Sequence, residues 1–348
     1  MQVFALIHVH TRTSDGSADA PEIARQAAGA GVEVVVLTDH DRLSPGGGWQ
    51  DGVLMVPGQE VTPRHNHLLA LGLEQTLPKF KGDGMNGDPA RSLALIKKLG
   101  GWAALAHPLD SAIASAPRSR SFVTLDFSSA LDCPGLELWN AMSAFKRNMK
   151  GVTNFIQRLL MPATFLAGPH PTLIALWDTM GRTRRWVALA GADAHAFSLG
   201  KRWLPVRVYS YRRHMRLLLT GLWLSRPFSG QSSQDQALVL EALAQGRCFA
   251  SLGRARGFAC TVIGADGELL PGVETGFQPG MVMRAKLPGW GQARLMHNGR
   301  KVHESRGRRF VWTLDGPGVW RLEARRIRPP AGWRPWIYCN PFYLRKQA

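Results

Sequence analysis

At five points the 348-residue chain places polar side chains straight after apolar runs that have no structural use for them. His8 and His10 follow residues 3–7; Asp39, His40 and Asp41 follow 32–38; Glu60 follows 53–59; His107 follows 102–106; Asp193 and His195 follow 186–192. Two apart in an extended strand, His8 and His10 point the same way and can aim at a single cation. Asp15 lies in "SDG" on the loop beyond, where Gly16 permits a tight turn. Imidazoles and carboxylates without thiolates suit Zn²⁺, Mn²⁺ or Fe²⁺, whereas Ca²⁺ and Mg²⁺ prefer oxygen alone. The candidates are too many for one tetrahedral ion, so two or three ions sharing a bridging carboxylate is the economical reading. Histidines that only cap strand ends by hydrogen bonds are the plainer alternative. Asp39 and Asp41, which flank His40, could orient its ring or cap the loop.

Side chains so far apart in sequence converge when strand carboxyl ends share one face, as in a parallel α/β barrel. The first two hundred residues alternate β-rich runs with helix-like stretches, the pattern of βα units. Strands are expected at 3–7, 32–38, 53–56, 68–73, 103–106, 136–139 and 186–190, and helices at 21–28 and 90–99. Asp19 and Glu22 open the first helix in capping-box spacing, with Pro21 in the first turn and Gly29 and Gly31 at its close. The uncharged stretch 159–177 could span a bilayer by length, but Pro162, Gly168, Pro169 and Pro171 interrupt it, predicting two short buried or lid-like helices. The run 216–228, apolar between arginines, could lie on a membrane or a partner, a packed helix being the commoner explanation, and a further capped helix is expected over 235–245. From Phe258 the pattern shifts to short alternating segments with "NG" at Asn298 and Gly299, the mark of hairpins in an antiparallel sheet. Trp290, Trp312, Trp320, Trp333 and Trp336 are expected to fill its small core.

The ordered set "HVHTRTSDGS", "LTDHD", "GQEVT", "HLLALGL", "AHP" and "GADAH" resembles the PHP superfamily, named for polymerase and histidinol phosphatase domains, over roughly residues 1–207. The resemblance implies an α/β fold: a distorted (βα)7 barrel with a two- or three-metal site at its strand ends. Carried over residue by residue, it implies that His8, His10, Glu60 and Asp193 hold one metal. Glu60 would bridge to a second held by His67 and His107, and Asp15, His40 and His195 would hold a third. Asp15 stands where some branches have histidine. His67 directly precedes its strand as the motif requires, which sets it ahead of the nearby His65. The C-terminal "GVWRLEA" and "RPWIY" with Asn340 and Pro341 are similar to the small β-domain of the carbaryl-hydrolase-like branch. The expected organisation is a barrel over 1–225 with a helical insertion at about 142–182, a connecting helix and linker over 226–257, and an antiparallel β-sandwich-like domain over 258–348.

Forty-three Lys and Arg against 25 Asp and Glu give a net charge of +18, which favours anionic partners. The leading expectation is a metal-dependent phosphoesterase that attacks with a metal-bound hydroxide, Asp193, His195 and His107 being the candidates for catalysis. Asn140, Lys201 and Arg202 are candidates for substrate contact, and the cofactors are two or three divalent ions, Mn, Zn or Fe. The substrate is a small anionic molecule such as a nucleotide or short oligonucleotide, with no stable nucleic-acid complex. Metal-dependent hydrolysis of a carbamate, ester or amide is the second reading, and a non-catalytic nucleic-acid-binding module the third. Cys133, Cys248, Cys260 and Cys339 are scattered, as reduced core thiols would be. No basic, cleavable leader is visible, so a cytoplasmic location and no transmembrane segment are the default.

Overall fold

A computed structural model describes residues 1–62, 67–78, 89–109, 132–147, 149, 151–161, 166, 168–199, 206–207, 209–265, 267–329 and 332–347. The fold is mixed α/β with one large sheet. Strand β1 (Gln2–Val9) pairs in parallel with β2 (Val34–His40). After the short β3 (Gly48–Gln50), β4 (Val53–Val61) lies parallel to β2, and β5 (Leu68–Leu71) pairs antiparallel with both β4 and β6 (Trp102–Leu105). Parallel pairing resumes from β6 to β7 (Gly135–Asn140) and β8 (Val187–Gly191). The chain leaving β8 returns to β1, where Ala194 bridges Val9 and its amide donates to the His8 carbonyl. Seven strands therefore pair in series back to the first, with β5 reversed. The six residues between β4 and β5 cannot house the crossover that parallel neighbours need, so the parallel βα pattern breaks there.

Alternate residues of these strands form one apolar cluster: Val3, Ala5 and Ile7; Val34 and Val36; Leu54 and Val56; Leu69 and Leu71; Ala104 and Ala106; Val187 and Leu189. The opposite set, including Phe4, Leu6, Val35, Leu37, Leu136 and Leu138, packs outward against the helices. Helix α1 (Ala20–Ala30) begins where Asp19 accepts from the Glu22 amide and ends on Gly31 at φ 68°, a left-handed cap. Helices α2 (Pro89–Lys98), α3 (Ala141–Lys146), α4 (Gly151–Leu160) and α5 (Pro171–Gly181) follow. The stretch 159–177 thus contributes the end of α4 and the first half of α5. A small pair, β9 (Ser198–Leu199) and β10 (Val206–Arg207), precedes α6 (Tyr211–Leu217).

The run 216–228 is not the expected helix. Leu218–Trp223 is strand β11, antiparallel between β1 and β12 (Cys248–Leu252), because both of its faces meet apolar partners. Helix α7 (Ser232–Ala244) starts three residues earlier than predicted, and Asp235 is buried rather than capping, accepting from Ser229, Gly230 and Trp49. Beyond lie β13 (Ala259–Gly264), β14 (Gly267–Leu269), β15 (Glu274–Gly276), β16 (Val282–His297), β17 (Arg300–Thr313), β18 (Gly318–Ile327), β19 (Trp333–Cys339) and β20 (Phe342–Arg345). The β16–β17 hairpin turns on Asn298 and Gly299, both at positive φ as expected. Strand β19 pairs with β12, so hydrogen bonding runs unbroken from β1 to the C-terminal strands. All four cysteines are buried and free. Among the described residues no helix is long and apolar enough to cross a membrane.

One buried ion pair ties the C-terminal strands to α5. Arg321 of β18, 1% exposed, donates to both oxygens of Asp178 at 2.6 and 2.8 Å, contacts Glu323, and lies over the Trp177 ring. Replacing Arg321 with Ala strands a buried carboxylate and should lower the unfolding free energy by about 3–5 kcal/mol in denaturant melts. The double variant Arg321→Met/Asp178→Leu should recover most of the loss; a single-variant cost under about 1 kcal/mol, the range of an exposed pair, would refute this role.

Candidate metal centre

The apolar inner stripes of the strands all change character at one end of the ring. On β4 the stripe runs Leu54, Val56, Gly58, Glu60; on β2, Val34, Val36, Thr38, His40; past β8, Val187, Leu189, Gly191, Asp193. Because β5 is reversed, its amino end reaches the same mouth, which is why His67 precedes its strand. On β7 the inward residue is Glu137.

Strand β1 needs a device to join them. Its inward residues are Val3, Ala5 and Ile7, so strict alternation would turn Val9 inward and both histidines out. Instead His8 adopts φ 68° and the register with β2 slips between Ile7 and Val9. This bulge swaps the faces: Val9 joins the outer core with Phe4 and Leu6, and His8 and His10 enter the mouth, their rings 5.1 Å apart. The pair converges through a bulge rather than through extended geometry alone. His107 and Asp193 also turn inward from left-handed backbone, at φ 29° and 52°.

All nine residues of the implied ligand set meet here, and Glu60 is the hub. Fully buried, its Oε1 lies 2.9 Å from both His67 Nδ1 and His107 Nε2, and its Oε2 lies 3.1 Å from His8 Nε2, 3.3 Å from His10 Nε2 and 3.1 Å from His40 Nδ1. Asp193 Oδ1 approaches His8, His10 and His195 at 3.5–3.6 Å. Asp15 approaches His195 at 3.1 Å, His10 at 3.6 Å and His40 at 3.7 Å. Three overlapping groups could each hold an ion: His8, Glu60 and His107; His8, His10 and Asp193; and His10, Asp15, His40 and His195. Two donors each about 2.0–2.2 Å from one cation stand about 3–3.5 Å apart, and the observed separations match that edge. His10 Nε2 and His40 Nδ1 are buried near Glu60 yet lack hydrogen-bond geometry to any described group, as lone pairs sharing a third centre would. The donor set therefore fits divalent transition metals.

Second partners fix the rings. Glu137 accepts from His8 Nδ1 at 2.8 Å, from the His107 amide at 2.6 Å and from Asn140 Nδ2 at 2.8 Å. Glu137 occupies space that Gly191 leaves open, since a Cβ there would fall 1.5 Å from its Oε1. Sequence reasoning missed this residue; a lone carboxylate between Leu136 and Leu138 on a buried strand was its signal. Asn140 caps α3 through Ser143 and orients Glu137. Asp39 does not orient His40: it accepts from the Thr11 amide and hydroxyl and from Ser14, holding the loop that presents Asp15. Asp41 accepts from Thr62, tying β2 to β4. Gly16 serves by close approach rather than by its φ, because a Cβ would meet the His10 carbonyl at 2.2 Å. Phe197, 40% exposed, stacks on His195. Beside the cluster is a cleft lined by His107, Glu137, Asn140, Arg147, His170 and Leu173. His65, Lys201 and Arg202 lie outside the described residues.

Burial disfavours every charge here, yet the groups sustain one another. Burial opposes the His8 imidazolium, but Glu137, Glu60 and Asp193 outweigh it and hold its pKa well above the ordinary range. By the same contest His10, beside Asp193 and Glu60, rises to about 9, and His107 is raised by Glu60. Glu60 and Asp193, although buried, are held well below the usual carboxylate range by the surrounding imidazoles. Burial leaves His40 depressed.

No family model matches the chain. Among curated proteins it is similar to an uncharacterized protein of Methanocaldococcus jannaschii, 29% identical over 151 aligned residues that span 39% of this chain and 80% of that protein. Among solved structures it is similar to a two-domain protein from Bacteroides vulgatus containing a predicted PHP-like metal-dependent phosphoesterase, with a TM-score of 0.47 and 12% identity over 98% of this chain and 95% of that one. It is also similar to an amidohydrolase from Chromobacterium violaceum, with a TM-score of 0.33 and 16% identity over 55% of this chain and 87% of that one.

Two outcomes follow from the geometry. Glu137→Gln should weaken metal affinity by about 10- to 100-fold, the usual cost of losing a partner that orients a ligand imidazole, read by competitive chelator titration; unchanged affinity would rule out that role. In chelator, His8, His10 and His107 bind more protons folded than unfolded, so their contribution to stability is full below about pH 6.5 and is lost as pH rises through about 9. Added divalent metal should reverse that slope, because it binds deprotonated imidazole. Chelated protein melting no lower at pH 9 than at pH 6.5 would contradict the assignment.

Proposed function

We propose that this chain is a metal-dependent hydrolase, a phosphoesterase of the PHP superfamily and of its carbaryl-hydrolase-like branch. In this reading residues 1–225 form the distorted (βα)7 barrel, 226–257 connect, and 258–348 form the β-rich domain. The observation that carries the reading is a fully buried carboxylate, Glu60, within 3.3 Å of five imidazoles. His8, His10, Glu60 and Asp193 would hold one ion, Glu60, His67 and His107 a second, and Asp15, His40 and His195 a third. Bound there, divalent ions would supply hydroxide near neutral pH and neutralise charge building on phosphoryl oxygens.

The chain's own groups prepare the site. Glu137 can only accept, so His8 keeps a proton on Nδ1, and Nε2, beside Glu60, is the nitrogen a metal would take. The carbonyl of Asp193 likewise keeps the proton of His195 on Nδ1, 3.0 Å away, and leaves Nε2 facing Asp15. Arg147 lines the adjacent cleft, a cation that favours an anionic substrate over a neutral one. Phe197 offers an apolar ring to an aryl group, the feature that supports carbamate or ester hydrolysis as the second reading.

Protein purified without chelator should contain about two or three equivalents of Mn, Zn or Fe by elemental analysis. With Mn²⁺ added it should turn over at least one of a nucleotide bisphosphate, short oligoribonucleotides, aryl phosphates or an aryl carbamate, the last alone favouring the second reading. His107→Ala and Asp193→Ala should each reduce turnover by about 100-fold or more with circular dichroism unchanged. Full activity in either variant would end the proposal.

A further inference from the structure

The positive charge of the chain is concentrated. Residues 282–334 carry thirteen Lys and Arg against three acidic residues, more than half of the whole excess of +18. Much of it lies on β17, a 14-residue strand that among the described residues pairs with β16 alone and exposes Arg300, Lys301, Arg306, Arg308 and Arg309.

Within this region the tryptophans do not all fill a core. Trp320 and Trp336 are buried, but Trp290 is 55% exposed on a bulge of β16, where the register slips between Lys286 and Gly291. Its ring lies 5.6 Å from that of Trp333 at a tilt of 35°. The Arg306 guanidinium lies 5.4 Å from the centre of the Trp333 ring. Arg308 reaches the Pro288 carbonyl, and Arg325 the Trp333 carbonyl, so two more cations frame the indoles. Indoles framed by guanidinium groups match what unpaired bases and their phosphates require. Tyr338, on the same strand as Trp333, packs edge-on against Trp139 of β7, so the platform's strand leads to the wall of the metal cleft.

We propose that Trp290 and Trp333, framed by Arg306, Arg308 and Arg325, form a binding face for single-stranded nucleic acid, bases stacking on the indoles and phosphates meeting the arginines. A duplex buries its base faces, and lipid headgroups have no flat ring to stack, so a single strand is the occupant the geometry selects. This departs from the expectation of no stable nucleic-acid complex, and it does not depend on the hydrolase reading.

The test is fluorescence anisotropy of the full chain with labelled 12-nucleotide single-stranded RNA and DNA, a matching duplex, and vesicles containing anionic phosphatidylglycerol. EDTA in every arm keeps binding separate from turnover. Single strands should bind more tightly than duplex, with tryptophan quenching and a log–log salt slope of about −2 for three phosphate contacts. Trp290→Ala should weaken binding roughly 10-fold, and Arg306→Ala/Arg308→Ala should flatten the slope by about 1.4. Both changes are at exposed positions, and hydrolysis of a small aryl phosphate, where found, should not move. Preference for vesicles or duplex, or single-strand affinity indifferent to Trp290→Ala, would overturn the proposal.

Discussion

A carboxylate sealed from water must be compensated where it stands, and Glu60 is sealed. Removing such a charge from solvent costs several kcal/mol even after relaxation, so the mouth of the strand ring has to present positive charge to it. Five imidazoles surround it, but a carboxylate has about four lone-pair positions and cannot accept from five donors at once. Protons alone therefore satisfy the cluster poorly, whereas divalent cations held between Glu60 and neutral imidazoles would satisfy it better. The backbone bears a cost for the arrangement as well. His8, His107 and Asp193 hold left-handed conformations that are unfavourable by about 1–3 kcal/mol each, a cost the surrounding structure must offset.

The legible part of this architecture is the part written in short-range pattern. Apolar stripes ending in a polar residue announce Glu60, His40 and Asp193, since each continues the alternation of its own strand. The helix opened by Asp19 could be read from its cap, and the hairpin at Asn298 from its turn residues. What stayed hidden depends on partners. The bulge at His8 is a register slip against β2, and nothing within residues 3–10 marks it. The strand at Leu218–Trp223 has the composition of a buried helix, and only burial between β1 and β12 selects the extended form. Glu137 was overlooked for the complementary reason: its neighbours read as plain core, and its role appears only once Gly191 is seen to leave it space.

The C-terminal strands are joined to the ring by more than adjacency. The β12–β19 pairing carries the sheet across, and Arg321 holds α5 to β18 from the other side. Asn340 reinforces the seam, accepting from the Ala188 amide and donating to the Ala188 and Cys248 carbonyls. The motif that pointed to a C-terminal β-domain thus supplies a residue that braces β8, the strand leading to Asp193. Much of the positive charge gathers away from this seam, on the exposed residues of β17.

Burial also grades the cluster. In the proposed assignment, the ions shared by His8, His10, Glu60, Asp193, His67 and His107 sit among side chains that are almost wholly enclosed, and Glu137 fixes one ring through a charged acceptor. The third set is looser: Asp15 is 46% and His40 31% exposed, and His195 is oriented by a neutral carbonyl. Its acidic member stands on a loop whose position depends on Asp39 gripping Thr11 and Ser14. A ring oriented by a carboxylate is a stronger donor than one oriented by a carbonyl, and an exposed ligand exchanges with water more readily. In that assignment the inner pair of sites would therefore be the tight one, and the outer site the one that opens to solvent.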